Sequence, residues 1–180
     1  MNDQGQGTPT KPVHIVNRNL EKHIQEIEDL IKGEKPFTGK WQTYIEDDRL
    51  FIPEELQPLL TNGGVVCLST EDHLLLFGGI HWTRFERILS REVGLSPVHN
   101  AVARHIYSNM YRFNSLDDAG FLNIPSKLLE YANIKGQAAI IGLMYHAEIH
   151  SLDDYKQNYD VNEKPETKSK LLSSFRKIFN

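Results

Sequence analysis

One cysteine, Cys67, is all that the 180 residues carry. No intramolecular disulfide can form, Cys67 reads as a small core residue, and a cytosolic setting is the expectation. No run of about 18 apolar residues occurs, so no helical membrane span is expected. The first residues, Met1 to Gly7, have neither a charged start nor an apolar core and do not read as a secretory signal. An excess of positive charge is missing too: 20 Lys and Arg face 24 Asp and Glu, a net of −4. That is a poor start for a nucleic-acid binder, which neutralises phosphates with Lys and Arg, although local patches outweigh totals. Residues 37–157 hold ten basic against fifteen acidic side chains, a net of −5, and residues 158–180 hold five against three, a net of +2. The chain also has no phosphate-binding glycine loop, no nucleophile elbow and no zinc-protease spacing. No catalytic residue, cofactor or metal site is therefore expected, and an enzyme is the weakest of three functional classes.

Eight histidines are present. His146, Glu148 and His150 alternate and share one face of a strand, but strand rise separates the two histidines by roughly 13 Å, too far for both to reach one ion. His81 beside Trp82 reads as packing at a helix start.

What organises the chain is a repeat. Ile45-Glu46-Asp47-Asp48-Arg49-Leu50-Phe51-Ile52-Pro53 returns in altered form as Leu116-Asp117-Asp118-Ala119-Gly120-Phe121-Leu122-Asn123-Ile124-Pro125. The pair Ile52-Pro53 thus has Ile124-Pro125 as its counterpart. Around each copy the pattern predicts strand, turn, strand, helix, strand, strand, helix. In the first, Trp41, Thr43 and Ile45 alternate as a strand and Arg49 to Ile52 form a second. Pro53 then suits the first position of a helix bearing Leu56, Leu59 and Leu60. Strands at 65–68 and 74–77 and a helix with Trp82, Phe85 and Leu89 complete the half, ended by Gly94. Ser96-Pro97 caps a linking helix that carries Val98, Val102, His105 and Ile106 and runs to about Met110. The second half predicts strands at 113–116 and 121–124, a helix with Leu128, Leu129 and Tyr131, strands at 138–141 and 147–149, and a helix opened by Leu152 and Tyr155.

The predicted class is α+β, with two tandem β/α halves packed by pseudo-twofold symmetry. The predicted organisation is an N-terminal extension at 1–36, a first half at 37–94, a linking helix and second half at 95–157, and a linker with a basic amphipathic tail at 158–180. Within the extensions, Leu20, Ile24, Ile27 and Ile31 make a narrow helical stripe that either docks on the core or pairs with another copy. Leu171, Leu172, Phe175, Ile178 and Phe179 make a short C-terminal helix.

These residues resemble the MraZ family of bacterial regulators of the division and cell-wall gene cluster. The resemblance runs from Phe37 to about Lys156. It rests on Phe37-Thr38-Gly39, Arg49-Leu50-Phe51-Ile52-Pro53, the Asp117 to Pro125 phrase, Leu128, Tyr131-Ala132 and Glu148-Ile149-His150. It implies two AbrB-like halves of the swapped-hairpin kind and a homo-oligomeric ring. It further implies binding to short direct repeats of double-stranded DNA upstream of the protein's own operon, repressor action, and a cytoplasmic, nucleoid-associated setting. The chain is a divergent member. Arg49 is retained, but Glu46 stands where Asp is usual and the turn is one residue short. Asp117 is retained, but Phe121 replaces the second arginine, and Thr38 fills an often basic position.

Arg49 and Lys40 are the DNA-binding candidates. Arg49 either meets phosphates or a guanine edge, or pairs with Asp47, Asp48 or Asp117 to fix the turn. Lys40 is a phosphate contact by position, or simply a solvated lysine. Glu46, Asp48 and Asp117 are read as motif residues, with Glu46 and Asp117 fixing the turns through backbone amides. The alternative function is a non-DNA-binding scaffold on the same fold that docks through its terminal extensions. The missing second arginine and the acidic core favour that alternative.

Overall fold

The two copies of the repeat lie side by side, each as part of a strand–turn–strand segment. The structure is a computed structural model and describes Gly33 and residues 35–158. The expected N-terminal helix, the polar linker and the basic tail lie outside the described residues.

The first long strand, β1 (Phe37–Glu46), turns at Asp47-Asp48 into β2 (Arg49–Phe51), with Glu46 opposite Arg49. Both turn residues have positive φ, 50° and 60°. Such a two-residue turn matches the right-handed twist of the strands it joins, and Asp tolerates the left-handed region. A single turn of 3-10 helix (Gln57–Leu59) follows, then β3 (Gly64–Leu68), β4 (Leu74–Gly78) and helix α1 (Gly79–Glu92). The linking helix α2 (Pro97–Ser108) starts at Ser96, whose hydroxyl accepts from His99 N–H. Next come β5 (Met110–Phe113), β6 (Phe121–Asn123), helix α3 (Ser126–Tyr131), β7 (Gln137–Met144), β8 (Ala147–Ser151) and helix α4 (Leu152–Asn158). Among the described residues, no helix is long and apolar enough to cross a membrane.

All eight strands of the described residues join one antiparallel sheet in the order β5-β3-β4-β8-β7-β1-β2-β6. Its outermost strands, β5 and β6, are consecutive in the chain. A flat sheet of eight strands would be about 34 Å wide at 4.8 Å per strand. The link from Phe113 to Phe121 reaches only about 29 Å fully extended, so the sheet must curl. The first strand of each half pairs into the other half: β1 lies on β7, and β5 lies on β3.

β3 and β4 are buried on both faces, as parallel-sheet strands more often are. On one side Val66, Leu68, Leu74 and Leu76 join Phe37, Leu50, Ile52, Leu122, Ile124, Ile140 and Ile149 in a core that draws on both halves. On the other, Val65, Cys67 and Phe77 meet Trp82, Leu89, Ala103 and Ile106 of the two long helices. His81, at the start of α1, is buried edge-on to Phe37 at 5.1 Å.

Three expectations need correction. The helix expected from Pro53 is only turns and one 3-10 turn. Pro58 lacks the backbone N–H that an α-helix would bond to the carbonyl four residues back, and the Gln57 side chain turns back to donate from Nε2 to Ile52 C=O. Leu56 and Leu60 still bury their side chains. The strand expected at 113–116 lies at Met110–Phe113, because α2 stops at Ser108 and the Asn109 side chain caps it by donating to His105 C=O. Val98, expected on the buried side of α2, is exposed; it lies in the first turn, short of the residues that reach the sheet.

Candidate nucleic-acid interface

β2 and β6 pair in the register Arg49↔Asn123, Leu50↔Leu122 and Phe51↔Phe121. Leu50 and Leu122 point inward and are fully buried, a contribution of about 1.5–3 kcal/mol each. The ribbon is closed at each end by a backbone bond. Ile52 N–H donates to Gly120 C=O and Ile124 N–H donates to Asp48 C=O, both at 3.0 Å. The repeat relates the two bonds to each other: Ile124 is the counterpart of Ile52, and Gly120 is the counterpart of Asp48.

The outward face carries the charged residues. Arg49 Nη1 lies 3.4 Å from Asp117 Oδ2 and Nη2 lies 3.9 Å from Glu46 Oε2. Its guanidinium lies over the Phe121 ring, 4.8 Å from the centroid. Phe121 in turn meets Phe51 at 5.3 Å and Tyr44 at 5.8 Å. Arg49 is thus held by two carboxylates and an aromatic plane, which suits a planar guanidinium. Its side chain remains 39% exposed.

Asp117 shapes the second turn. Its Oδ1 accepts from Phe121 N–H at 2.8 Å and from Ala119 N–H at 3.0 Å, an Asx-type arrangement. The Phe121 and Ala119 amides, with the Arg49 charge beside them, hold its carboxyl below the usual aspartate range. Asp48 Oδ2 accepts from Ser126 Oγ at 2.7 Å, tying the first turn to the start of α3. Glu46 meets Arg49 as described. Lys40 stands six residues back along β1 from Glu46, about 20 Å at strand rise. Its ammonium lies 4.5 Å from the centroid of the Tyr155 ring in α4. Arg49, Glu46 and Asp48 stand at one end of the ribbon and the Asp117 turn at the other, with the Arg49 side chain spanning the ribbon to reach Asp117; Lys40 lies elsewhere.

Sequence reasoning passed over Tyr44, Phe51 and Ser126. The aromatic plane under Arg49 exists because β2 and β6 are neighbours, and Ser126 reaches Asp48 from the far copy of the repeat. The one available signal was Phe121 itself, which occupies the position in the second copy that Arg49 holds in the first.

The two turns and the residue before the first carry five carboxylates, Glu46, Asp47, Asp48, Asp117 and Asp118, against the single arginine Arg49, and two of them, Glu46 and Asp117, face its guanidinium. Any phosphate approaching here meets a field in which Arg49 is outnumbered.

No protein-family model matches the chain. Among curated proteins it is similar to the transcriptional regulator MraZ of Roseiflexus castenholzii, with 31% identity over 119 residues, 64% of this chain and 80% of that protein. MraZ of Herpetosiphon aurantiacus is 29% identical over 128 residues, 69% of this chain and 87% of that protein. MraZ of Dictyoglomus thermophilum is 27% identical over 125 residues, 67% of this chain and 83% of that protein.

Proposed function

The chain belongs to the MraZ family, and on that premise we propose that it is a sequence-specific, double-stranded-DNA-binding regulator of transcription, acting as a repressor. The relatives are named transcriptional regulators. The observation on this chain that carries the reading is the posture of Arg49: a partly exposed guanidinium clamped on Phe121 at the mouth of a rigid two-residue hairpin. A pre-oriented arginine loses little freedom when it meets a phosphate or a guanine edge.

We read β1–β4 with α1, and β5–β8 with α3 and α4, as two copies of one unit related by a local twofold. The register that sets Leu50 against Leu122, its own counterpart in the repeat, supports this, as do the paired bonds of Ile52 and Ile124. In that arrangement Phe121 occupies the second arginine's place, so each subunit offers one such arginine instead of two. A single contact within an acidic surround is weak. A ring of subunits on direct repeats would present Arg49 many times, and the linked contacts would compensate by effective concentration.

The test is fluorescence anisotropy of the protein on its own upstream DNA across a salt series. Saturable binding that weakens steeply with salt, and that falls at least about tenfold in Arg49→Ala, is the expected result. The carboxylate-rich turns favour one other reading, a scaffold that docks proteins on the same fold. Absence of DNA binding even at low salt would overturn the regulator reading in its favour.

A further inference from the structure

Away from the ribbon, the seam between β4 and β8 gathers three side chains with metal-binding chemistry. The register pairs Leu74 with Ile149 and Leu75 with Glu148. Continued one residue outward, it sets His73 opposite His150. Opposed residues in an antiparallel pair point to the same face, with Cβ atoms about 5 Å apart. Glu148 shares that face with His150, two residues along β8. The imidazoles of His73 and His150 stack, with centroids 4.5 Å apart. His73 Nε2 lies 3.5 Å from Glu148 Oε1, and His150 Nε2 lies 2.9 Å from Glu148 Oε2. One ligand atom from each of the three residues can be chosen so that all lie within 4.8 Å of one another.

Burial sharpens the point. His73 is 5% and His150 is 2% exposed, while Glu148 is half-buried. His73 Nδ1 is sequestered without a hydrogen-bond partner, and Glu71 Oε2 lies 4.0 Å from it. A carboxylate behind the distal nitrogen of a histidine is the usual support of a metal-bound imidazole. His73 and Glu148 also line a cleft of about 350 Å³ together with Ser69, Thr70 and Glu71, which gives a path to solvent.

Donor type and spacing select the ligand. Two imidazole nitrogens and one carboxylate oxygen are a zinc-type set, completed by water in a fourth position. Ligand atoms bound at about 2.0–2.2 Å around a tetrahedral ion lie roughly 3.3–3.6 Å from each other, which a set already within 4.8 Å reaches by small side-chain rotations. His146, two residues before Glu148, stacks instead on Phe77 at 5.3 Å.

We propose that His73, Glu148 and His150 form a binding site for one divalent transition-metal ion of the zinc type, with Glu71 positioning His73. The ion joins β4, from the first copy of the repeat, to β8, from the second. The site shares no residue with the Arg49 ribbon and does not depend on the DNA-binding reading.

The test takes the full chain, stripped with chelator and dialysed, and titrates it with Co(II) followed by visible absorbance. One equivalent is expected to produce absorption bands of tetrahedral strength, which stoichiometric Zn(II) abolishes, and to raise the melting temperature as any native-state ligand does. Glu148→Gln and His150→Ala should each lower Co(II) affinity by more than the roughly 10–100-fold that loss of a supporting partner costs. His99→Ala, on α2, should keep it. Far-UV circular dichroism of the metal-free variants checks the fold. If His150→Ala does not fold, Glu148→Gln, which keeps the side chain's size, decides. Wild type without bands, or bands that survive in the folded variants, would overturn the site.

Discussion

Asp117 shows how one side chain serves both local structure and pH response. Its carboxylate accepts two backbone amides and faces Arg49. Because its folded pKa lies below the ordinary value of about 3.9, its contribution is full above that value and is lost as pH falls through the depressed one. Asp117→Asn should therefore lower the melting temperature at neutral pH. The gap from wild type should narrow as pH falls below the ordinary aspartate value and the folded carboxyl takes up its proton. A gap that stayed constant with pH would refute this account of the turn. Cys67 carries the opposite shift: burial pushes its thiol up to about 12. The folded protein should resist a thiol reagent at about pH 8 for as long as it stays folded, and should react within minutes in denaturant. Both residues were readable from sequence, Asp117 from its turn and Cys67 from its apolar run. What Arg49 lies upon was not, because Phe121 arrives from a strand in the other copy of the repeat.

At the scale of elements, local signals succeeded where the partner was local. Ser96-Pro97 opens α2, and Asp47-Asp48 closes a hairpin within a few residues of its own strands. They failed at Pro53, where Pro58 overrode an apolar pattern of helical spacing. The pairing of His73 with His150 leaves no local signal, because it depends on β4 meeting β8. The longest strand pair, β1 on β7, depends on small residues. Gly39 faces Gly142, and a Cβ at residue 142 would come within 2.6 Å of the backbone at Phe37 and Thr38. No flexible side chain stands there to yield. Gly142→Ala should cost about 1–3 kcal/mol, seen as a lower urea midpoint with an unchanged slope. An unaffected midpoint would mean that β1 and β7 can part without loss.

At the scale of the molecule, the repeat marks two like stretches of the sequence, and the alternation of apolar residues announced strands in them. Which strand would lie beside which could not be read, because pairing between segments so far apart in the chain leaves no mark in either segment alone. The observed exchange has a direct consequence for fragments. Residues 35–94 without the remainder keep the β1–β2 and β3–β4 pairs but lose β7 beside β1, β6 beside β2, β5 beside β3 and β8 beside β4. They also lose the second copy's share of the common core. That piece, and residues 95–158, should each give the circular dichroism of an unfolded chain, and mixing them should restore strand and helix signal. A native-like spectrum from either piece alone would show that the exchange is dispensable.

That exchange also sets a timetable. Tyr44 pairs with Gln137 and Phe37 with Met144, so about half the chain lies between even the nearest of these partners. At roughly 5–20 residues per second of synthesis, a ribosome needs about 5–20 seconds to make the strand that β1 requires. Through that interval β1 and β2 are without the strands that flank them, and no amount of local propensity can shorten the wait. The sheet cannot be completed until its last strands, β7 and β8, emerge.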